Sequence, residues 1–336
     1  MSFFINAFKI IFLLGFLIFI HEGGHFLAAR LFKVKVEEFS IGFGPKIFSK
    51  KGKETNYSIS LIPFGGYVKM IGEEERSEEE GSFSKAKLSH RIMIVAAGAF
   101  VNIVFAIIVF FFLSISSGYN ISTTVSGMIP EAEENLSQKI EIGDKILKIN
   151  DKKIRLKSDI VEALENSDGS NVDVVVERNN EEIKLSVTPT EYSEGVYVLG
   201  IQVALIDATF GERIYYAFWE TVNFVESMFE SVKLLFTGNV KIEQMTGPIG
   251  ISEIVVKSTG IYNFIYLLCL VSLSLGVTNL LPIPALDGGR ILIFIIEGIR
   301  GKALKEEIEL GIQSAGFLLL ILLSLYISYK DILRIF

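Results

Sequence analysis

The chain has 336 residues, of which 50% are hydrophobic and 21% are charged. Long apolar runs alternate with stretches rich in lysine and glutamate, which excludes a single soluble domain, a disordered chain and a fibrous protein. The net charge of −7 excludes a strongly basic nucleic-acid-binding protein, so no nucleic-acid partner is expected. Cys269 is the single cysteine; it cannot form an internal disulfide and is interpreted as a small core residue.

Four apolar stretches are long enough to cross a bilayer as helices, because about 20 apolar residues span its hydrocarbon core. They cover residues 3–20, 92–115, 264–281 and 312–328. The loops 30–91 and 282–311 carry lysine and arginine close to the spans, whereas residues 116–138 contain neither. The positive-inside rule therefore predicts that both loops are cytoplasmic and that both termini lie outside, although Lys330 and Arg334 oppose this assignment.

The first apolar stretch runs into His21-Glu22-Gly23-Gly24-His25, an H-E-x-x-H motif. Residues four apart share one face of a helix, so His21 and His25 can hold one Zn²⁺ ion. Glu22 points about 100° around the helix, within reach of a water molecule at that zinc, and is the predicted general base. The alternative is that these residues merely end a transmembrane helix, but ionisable groups at membrane depth are rare and usually functional.

The loop after the first span is predicted to form a β-hairpin. Residues 57–61 alternate between apolar and polar, residues 63–66 make a turn, and residues 67–70 would return. The acidic run that follows is interpreted as a solvated loop; it contains Glu73, Glu74, Glu75, Glu78, Glu79 and Glu80.

Residues 118–205 are predicted to form a compact β-rich domain. Strands over 172–178 and 182–187 flank an Asn-Asn turn, and a short helix is expected from an N-cap at Ser158 to Leu164. Residues 141–154 resemble the core signature of PDZ domains, which bind peptides by adding a strand to a sheet edge.

The segment upstream of that signature, residues 127–133, is a degraded match to the one usual in PDZ domains. Its glutamates oppose capture of a peptide carboxylate, because like charges repel. A domain that only filters access to the protein fits the sequence as well as a peptide-binding domain does. The amphipathic segment 217–236 has two interpretations of its own, a helix at the outer membrane interface or a helix packed on this domain.

A catalytic zinc needs a third protein ligand and one open position. The candidate is Asp287, in the run from Asn279 to Arg290 that ends the third span, where Pro282 and Pro284 break the helix. Broken backbone at membrane depth is tolerated beside a cavity or inside protein. The predicted orientation brings Asp287 to the same membrane face as the two histidines, although a helix N-cap is an alternative role for it.

Together these motifs resemble the site-2 protease family of intramembrane zinc metalloproteases, and most closely the bacterial branch that includes the regulator of sigma-E protease. The resemblance rests on six features in the family's order along nearly the whole chain. They are the H-E-x-x-H motif, Gly42-Phe43-Gly44-Pro45-Lys46, Gly66-Tyr67-Val68-Lys69-Met70, a single PDZ-like insert, Gly247-Pro248-Ile249-Gly250-Ile251, and the N-x-x-P-x-P-x-L-D-G-G run. The second span departs from the family, with Ala99 after Gly98 where proline is usual.

The resemblance implies a zinc-dependent endopeptidase that cleaves single-span membrane proteins already trimmed outside, such as anti-sigma factors and remnant signal peptides. His21, His25 and Asp287 would bind Zn²⁺, and Glu22 would be the base. The substrate-binding residues would be Asn279, Pro282, Pro284, Gly66, Tyr67, Val68 and Asn102. The implied location is the bacterial cytoplasmic (inner) membrane, with the active site near the cytoplasmic face, and the implied partners are these substrates, the lipid bilayer and a peptide ligand of the PDZ-like domain.

The predicted fold class is a polytopic α-helical membrane protein with four transmembrane helices, a cytoplasmic-side β-hairpin region and an extracytoplasmic β-rich PDZ-like domain. The predicted segments are a first transmembrane helix with the zinc motif (1–30), a cytoplasmic loop with a membrane-associated hairpin (31–90), a second transmembrane helix (91–117), the PDZ-like domain (118–205), an amphipathic connection (206–260), a third transmembrane helix with the L-D-G-G motif (261–290), a cytoplasmic loop (291–311), and a fourth transmembrane helix with a tail (312–336).

Two other functions compete with the protease. A catalytically silent PDZ-type scaffold with structural zinc would need no base, so the intact Glu22 argues against it. A zinc transporter would need ionisable residues along several spans, and the spans are otherwise almost bare.

Overall fold

The computed structural model describes residues 2–73, 75–116, 120–129, 140–165, 167–193, 196–206, 209–237 and 247–335. The chain divides into two compact units, one made of Met1–Phe110 with Val225–Phe336 and the other of Phe111–Phe224. The helices are α1 (Ser2–Leu31), α2 (Leu88–Ser116), α3 (Lys157–Glu162), α4 (Phe210–Thr237), α5 (Pro248–Lys257), α6 (Gly260–Asn279), α7 (Asp287–Arg300) and α8 (Glu306–Ile335). The strands are β1 (Val36–Lys51), β2 (Asn56–Met70), β3 (Asn120–Met128), β4 (Lys145–Ile149), β5 (Lys152–Lys153), β6 (Val172–Arg178), β7 (Glu181–Val187), β8 (Thr190–Ser193), β9 (Val196–Val198) and β10 (Ile201–Ile206).

Among the described residues, four helices are long and apolar enough to cross a membrane, in agreement with the four apolar stretches identified in the sequence. They cover Phe4–Leu31, Leu88–Ser116, Gly260–Asn279 and Glu306–Arg334. Large apolar side chains stay exposed along them, as in Phe8 of α1 and Leu325 of α8, which suits a surface that faces lipid. By length and composition the chain is therefore a multi-pass membrane protein.

The predicted hairpin between residues 57–61 and 67–70 is wrong, although both segments are extended. They do not pair with each other, because β1 lies between them: Ile41 pairs with Ile59 on one side and with Gly66 on the other. The second half of β1 then pairs with the first half of β2, as between Phe48 and Ile59. Two long bent strands thus build a small sheet with residues 66–70 at one side, a long-range arrangement that the local turn signal did not reveal.

This sheet packs on the helices through a buried apolar core. One cluster of buried side chains contains Val36 and Phe39 of β1, Val68 of β2, Ile94 of α2 and Phe294 of α7. The ion pair between Arg91 of α2 and Glu297 of α7, at 2.6 Å, fixes α7 against α2 beside this core. The sheet and α7 are therefore held at the end of α1 that carries the H-E-x-x-H motif.

Helix α5 is fixed by a carboxylate from the far end of the chain. The backbone N–H groups of Gly247 and Gly250 donate to Oδ2 of Asp331 in α8, at 3.0 and 2.8 Å. Asp331 is 1% exposed, so it supplies a buried N-terminal cap to α5. Cys269 of α6 is fully buried, which confirms its predicted place in the core.

The second unit is an antiparallel β structure with strand order β10-β3-β4-β6-β7, and β5 pairs with β4. The predicted hairpin of β6 and β7 is confirmed, with Val174 opposite Leu185. The predicted N-cap at Ser158 is wrong, because α3 begins at Lys157 after Leu156. Asp159 causes this earlier start, since its carboxylate accepts the N–H groups of Arg155 and Leu156 at 2.6 and 2.8 Å.

A buried ion pair ties the turn before β4 to the end of β6. Oδ1 and Oδ2 of Asp144 accept from Nε and Nη2 of Arg178, both at 2.7 Å, and the Asp144 side chain is fully buried. Burial alone would raise the pKa of Asp144, but the Arg178 guanidinium lowers it below its usual value. Of the PDZ-like segment 127–133, residues 130–133 lie outside the described residues.

Candidate metal centre

The H-E-x-x-H motif lies on an unbroken stretch of α1, so His21 and His25 are one turn apart on the same face. Each is 8% exposed. Nδ1 of His25 lies 2.9 Å from the carbonyl oxygen of Ile94 in α2, so it donates its hydrogen there and leaves the lone pair of Nε2 facing His21. The two Nε2 atoms are 3.2 Å apart.

Asp287 reaches the same point from the other end of the chain. Helix α6 ends at Asn279, before Pro282, as the sequence predicts. The chain then turns back, and α7 begins with Asp287 as its first helical residue after the N-cap Leu286. Oδ2 of Asp287 lies 3.3 Å from Nε2 of His21 and 3.5 Å from Nε2 of His25.

These three atoms form a triangle that fits one zinc ion. Zinc bonds of about 2.0–2.1 Å at tetrahedral angles put ligand atoms about 3.3 Å apart, close to the observed edges of 3.2, 3.3 and 3.5 Å. Oδ2 of Asp287 is buried and has no hydrogen-bond partner among the described residues, which a cation would supply. Burial alone would raise the pKa of Asp287, but His21 and His25 hold it well below its usual range, so a carboxylate is available as a ligand.

Helix α1 packs closely on α2, and a glycine in α2 leaves the space that the His25 ring needs. A Cβ atom on Gly98 of α2 would stand 2.4 Å from Nε2 of His25. The imidazole therefore occupies space that only glycine leaves open at residue 98. Sequence reasoning noted Gly98 only as part of a family segment, because nothing local to it shows that it faces His25.

A cavity of about 300 Å³ surrounds the triangle. Glu22 lines it beside both histidines and Asp287, and so do four of the predicted substrate-binding residues: Gly66, Tyr67, Val68 and Asn279. The β2 backbone passes close over the base, since a Cβ on Gly66 would stand 3.0 Å from Cγ of Glu22. The sheet edge and the predicted catalytic groups thus share one space.

The other three predicted substrate-binding residues are not among those that line this cavity. Pro282 and Pro284 lie in the loop between α6 and α7, where Ala285 adopts a left-handed backbone with φ of 73°. Oε1 of Gln313 in α8 accepts the N–H of Ala285 at 2.7 Å and holds that loop. Asn102 is fully buried in α2, where its Nδ2 lies 3.4 Å from Nδ1 of His21, so it contacts a predicted ligand instead.

Sequence reasoning missed an ion pair in the cavity wall. Arg290 of α7 donates from Nη1 to Oε1 of Glu73 at 2.5 Å, and both residues line the cavity. Burial alone would lower the pKa of Arg290, but Glu73 raises it. The interpretation of the acidic run as a solvated loop is thus wrong for Glu73, whose side chain is only 13% exposed, while Glu74 lies outside the described residues. The same pair borders a second cavity, of about 710 Å³.

Two histidines one helical turn apart, a carboxylate and an adjacent glutamate are the residue set of a zinc metalloprotease. The profile of peptidase family M50 matches residues 9–323, and the chain belongs to this family. It is a zinc metalloprotease of the intramembrane type, with Zn²⁺ as its cofactor.

Similar proteins occur in several bacteria. A Clostridium acetobutylicum protein provisionally named a zinc metalloprotease is 36% identical over 99% of this chain and 98% of its own length. The regulator of sigma-W protease RasP of Bacillus subtilis is 30% identical over 98% of both chains. A zinc metalloprotease RasP of Geobacillus kaustophilus is 28% identical over 96% of both.

Proposed function

We propose that His21, His25 and Asp287 hold the catalytic zinc and that Glu22 is the general base. The observation that carries this proposal is the triangle of three ligand atoms with edges of 3.2–3.5 Å beside Glu22. A zinc ion held by these residues would act as a Lewis acid, lowering the pKa of the attacking water molecule and polarising the peptide carbonyl. Glu22 would take a proton from the attacking water and return it to the leaving nitrogen of the cleaved peptide bond.

Residues 66–68 are the proposed binding strand for the substrate. Peptide bonds within a helix are shielded by their own hydrogen bonds, so a transmembrane substrate has to unwind before hydrolysis. An unwound segment can pair with the edge of β2 next to Glu22, because its main-chain groups then replace the lost helical bonds. Asn279, Pro282 and Pro284, in and beside the loop between α6 and α7, are proposed to hold the same segment from the other side.

The proposed substrates are single-span membrane proteins that another protease has already trimmed outside. The Bacillus subtilis relative is named regulator of sigma-W protease RasP, which supports anti-sigma factors as one class of substrate. Remnant signal peptides are a second class with the same chemistry, a short apolar helix with one trimmed end.

The proposed location is a bacterial cytoplasmic membrane, with both termini outside and the metal centre near the cytoplasmic face. The dense lysine and arginine residues of the 30–91 loop support this orientation. The domain organisation follows from it, with the β-rich unit outside and the β1–β2 sheet at the cytoplasmic side, against the membrane.

The β-rich unit is proposed to be a PDZ-like domain. Strand β10 is an end strand of its main sheet and pairs within the described residues with β3. Such an edge can accept a peptide strand, so a trimmed substrate end is its proposed ligand.

The catalytic proposal is tested with Glu22→Gln in purified protein. The variant should bind about one zinc per chain, as the wild type does, and should leave a transmembrane test substrate uncut, because only the base is lost. Zinc is measured by atomic emission and cleavage by gel mobility. Cleavage by Glu22→Gln would show that Glu22 is not the general base.

The third ligand is tested separately. Asp287→Ala should lower the bound zinc below one per chain and abolish cleavage, whereas Asp151→Ala, a change of an exposed aspartate in the β-rich unit, should alter neither. Unchanged zinc binding in Asp287→Ala would remove Asp287 from the ligand set.

A further inference from the structure

Helix α2 presents three positions, four residues apart on one face, to the two histidines. Ile94 offers its carbonyl oxygen to Nδ1 of His25 at 2.9 Å. Gly98 leaves the space that the His25 ring fills. Asn102 brings its amide to Nδ1 of His21, with Nδ2 at 3.4 Å. Each imidazole is therefore contacted by α2 at the nitrogen that points away from Asp287.

The two contacts are chemically different as they stand. A histidine that binds metal through Nε2 carries its hydrogen on Nδ1 and needs an acceptor there. His25 has one in the Ile94 carbonyl, but His21 faces Nδ2 of Asn102, which is itself a donor. Meanwhile Oδ1 of Asn102 is buried and has no hydrogen-bond partner among the described residues.

Rotating the side-chain amide of Asn102 by about 180° exchanges Oδ1 and Nδ2. Oδ1 then gains a hydrogen-bond partner, and Nδ1 of His21 faces an acceptor instead of a donor. We propose that Asn102 is a positioning residue of the metal centre: when zinc is bound, its Oδ1 accepts the Nδ1–H of His21 and fixes that ring with Nε2 toward the metal. This inference rests on the proposed role of His21 as a zinc ligand. It replaces the substrate-binding role that the family resemblance implied for Asn102.

The backbone at Asn102 is held independently of its side chain. Oγ of Ser272 in α6 donates to the carbonyl oxygen of Asn102 at 2.9 Å, and both residues are fully buried. A change of the amide therefore leaves this helix contact in place, and a change of Ser272 leaves the amide in place. Ser272→Ala is for this reason the matched control.

The test is the zinc affinity of purified protein, measured by competition with a chromophoric chelator and without substrate. Asn102→Leu removes the acceptor at similar volume and should weaken zinc binding about 10- to 100-fold. Asn102→Ala should do the same if the leucine variant does not fold. Asn102→Asp keeps an oxygen and should bind zinc within about threefold of the wild type or more tightly, and Ser272→Ala should bind as the wild type does.

Cobalt(II) supplies a second measurement that does not depend on affinity. The visible absorption bands of the cobalt-loaded protein should move in Asn102→Leu, because the orientation of His21 changes, and should stay in place in Ser272→Ala. Wild-type zinc affinity in a folded Asn102→Leu or Asn102→Ala variant would overturn the proposal, as would an aspartate variant that binds zinc as weakly as the leucine variant. Neither measurement depends on cleavage. A failure of the proposed protease mechanism can therefore be told apart from a failure of the proposed role of Asn102.

Discussion

Gly24 of α1 lies so close to Ala97 of α2 that a Cβ atom at residue 24 would stand 2.5 Å from the Ala97 carbonyl oxygen. That distance is far inside van der Waals contact, and backbone cannot move aside as a flexible side chain can. The neighbouring Gly23 has nothing within 4 Å of such an atom. Of the two residues between Glu22 and His25, Gly24 is therefore packed tightly against α2, whereas Gly23 has open space beside it.

Gly24→Ala should push α1 away from α2 and lengthen the hydrogen bond from Nδ1 of His25 to the Ile94 carbonyl oxygen. We expect zinc binding and substrate cleavage to fall by about 5- to 150-fold, which corresponds to overpacking costs of about 1–3 kcal/mol. Gly23→Ala should bind zinc and cleave like the wild type. Equal behaviour of the two variants, in zinc content and in turnover, would contradict the close approach of the helices.

Gln313 should control the loop that delivers Asp287. Its Oε1 accepts the N–H of Ala285, whose left-handed backbone costs about 1–3 kcal/mol unless the surroundings hold it. Gln313→Leu removes the acceptor and should weaken zinc binding several-fold. Gln313→Glu keeps an acceptor oxygen and should bind zinc about as tightly as the wild type. Isothermal titration with zinc distinguishes the two, and a leucine variant with unchanged affinity would refute the role of this contact.

Asp331 should stabilise the unit that contains the apolar helices. Asp331→Ala strips two backbone N–H groups at the start of α5 of their buried acceptor, with an expected loss of about 1–2 kcal/mol. Arg334→Ala removes only a partner of Asp331 that is 48% exposed, and should cost less than about 1 kcal/mol. Thermal unfolding in detergent, followed by circular dichroism, should rank the two variants in that order.

Asp144 should make the stability of the β-rich unit depend on pH at the acidic end. Its pKa is lowered in the folded state, so its contribution is complete above the unfolded value of about 3.9 and is lost as the pH falls through the folded value. The chain has one tryptophan, Trp219, which lies in this unit with the Arg155 guanidinium 3.7 Å from its ring centroid.

Fluorescence of Trp219 therefore reports unfolding of that unit. As the pH falls from about 4 through the folded pKa, the wild type should lose stability that Asp144→Asn lacks at every pH. Asp151→Asn, a change of an exposed aspartate, should keep the wild-type profile. Parallel profiles for the wild type and Asp144→Asn would show that the ion pair with Arg178 contributes nothing.

The spans and the metal motif could be predicted because their signals are local. An apolar run fixes a helix by its length, and the spacing of His21 and His25 fixes their common face. Asp287 could be predicted as a candidate ligand because two prolines and two glycines mark the loop around it.

Other parts of the site depend on contacts that no local pattern encodes. Glu73 and Arg290 are separated by 217 positions, and an acidic run usually does face solvent. The pairing of β1 with both halves of β2 is also long-range, so the turn signal at 63–66 suggested the wrong partner. The contact of Asn102 with His21 depends on how α2 sits against α1, which helix periodicity alone does not set.

The proposed zinc ligands come from opposite ends of the chain, with the β-rich unit and two apolar helices encoded between them. A ribosome therefore completes the histidine pair early and adds Asp287 only after three of the four apolar helices found among the described residues have been made. On this ligand set, a growing chain has no complete zinc centre. The order of synthesis alone then keeps the protease inactive until most of its own membrane part is in place.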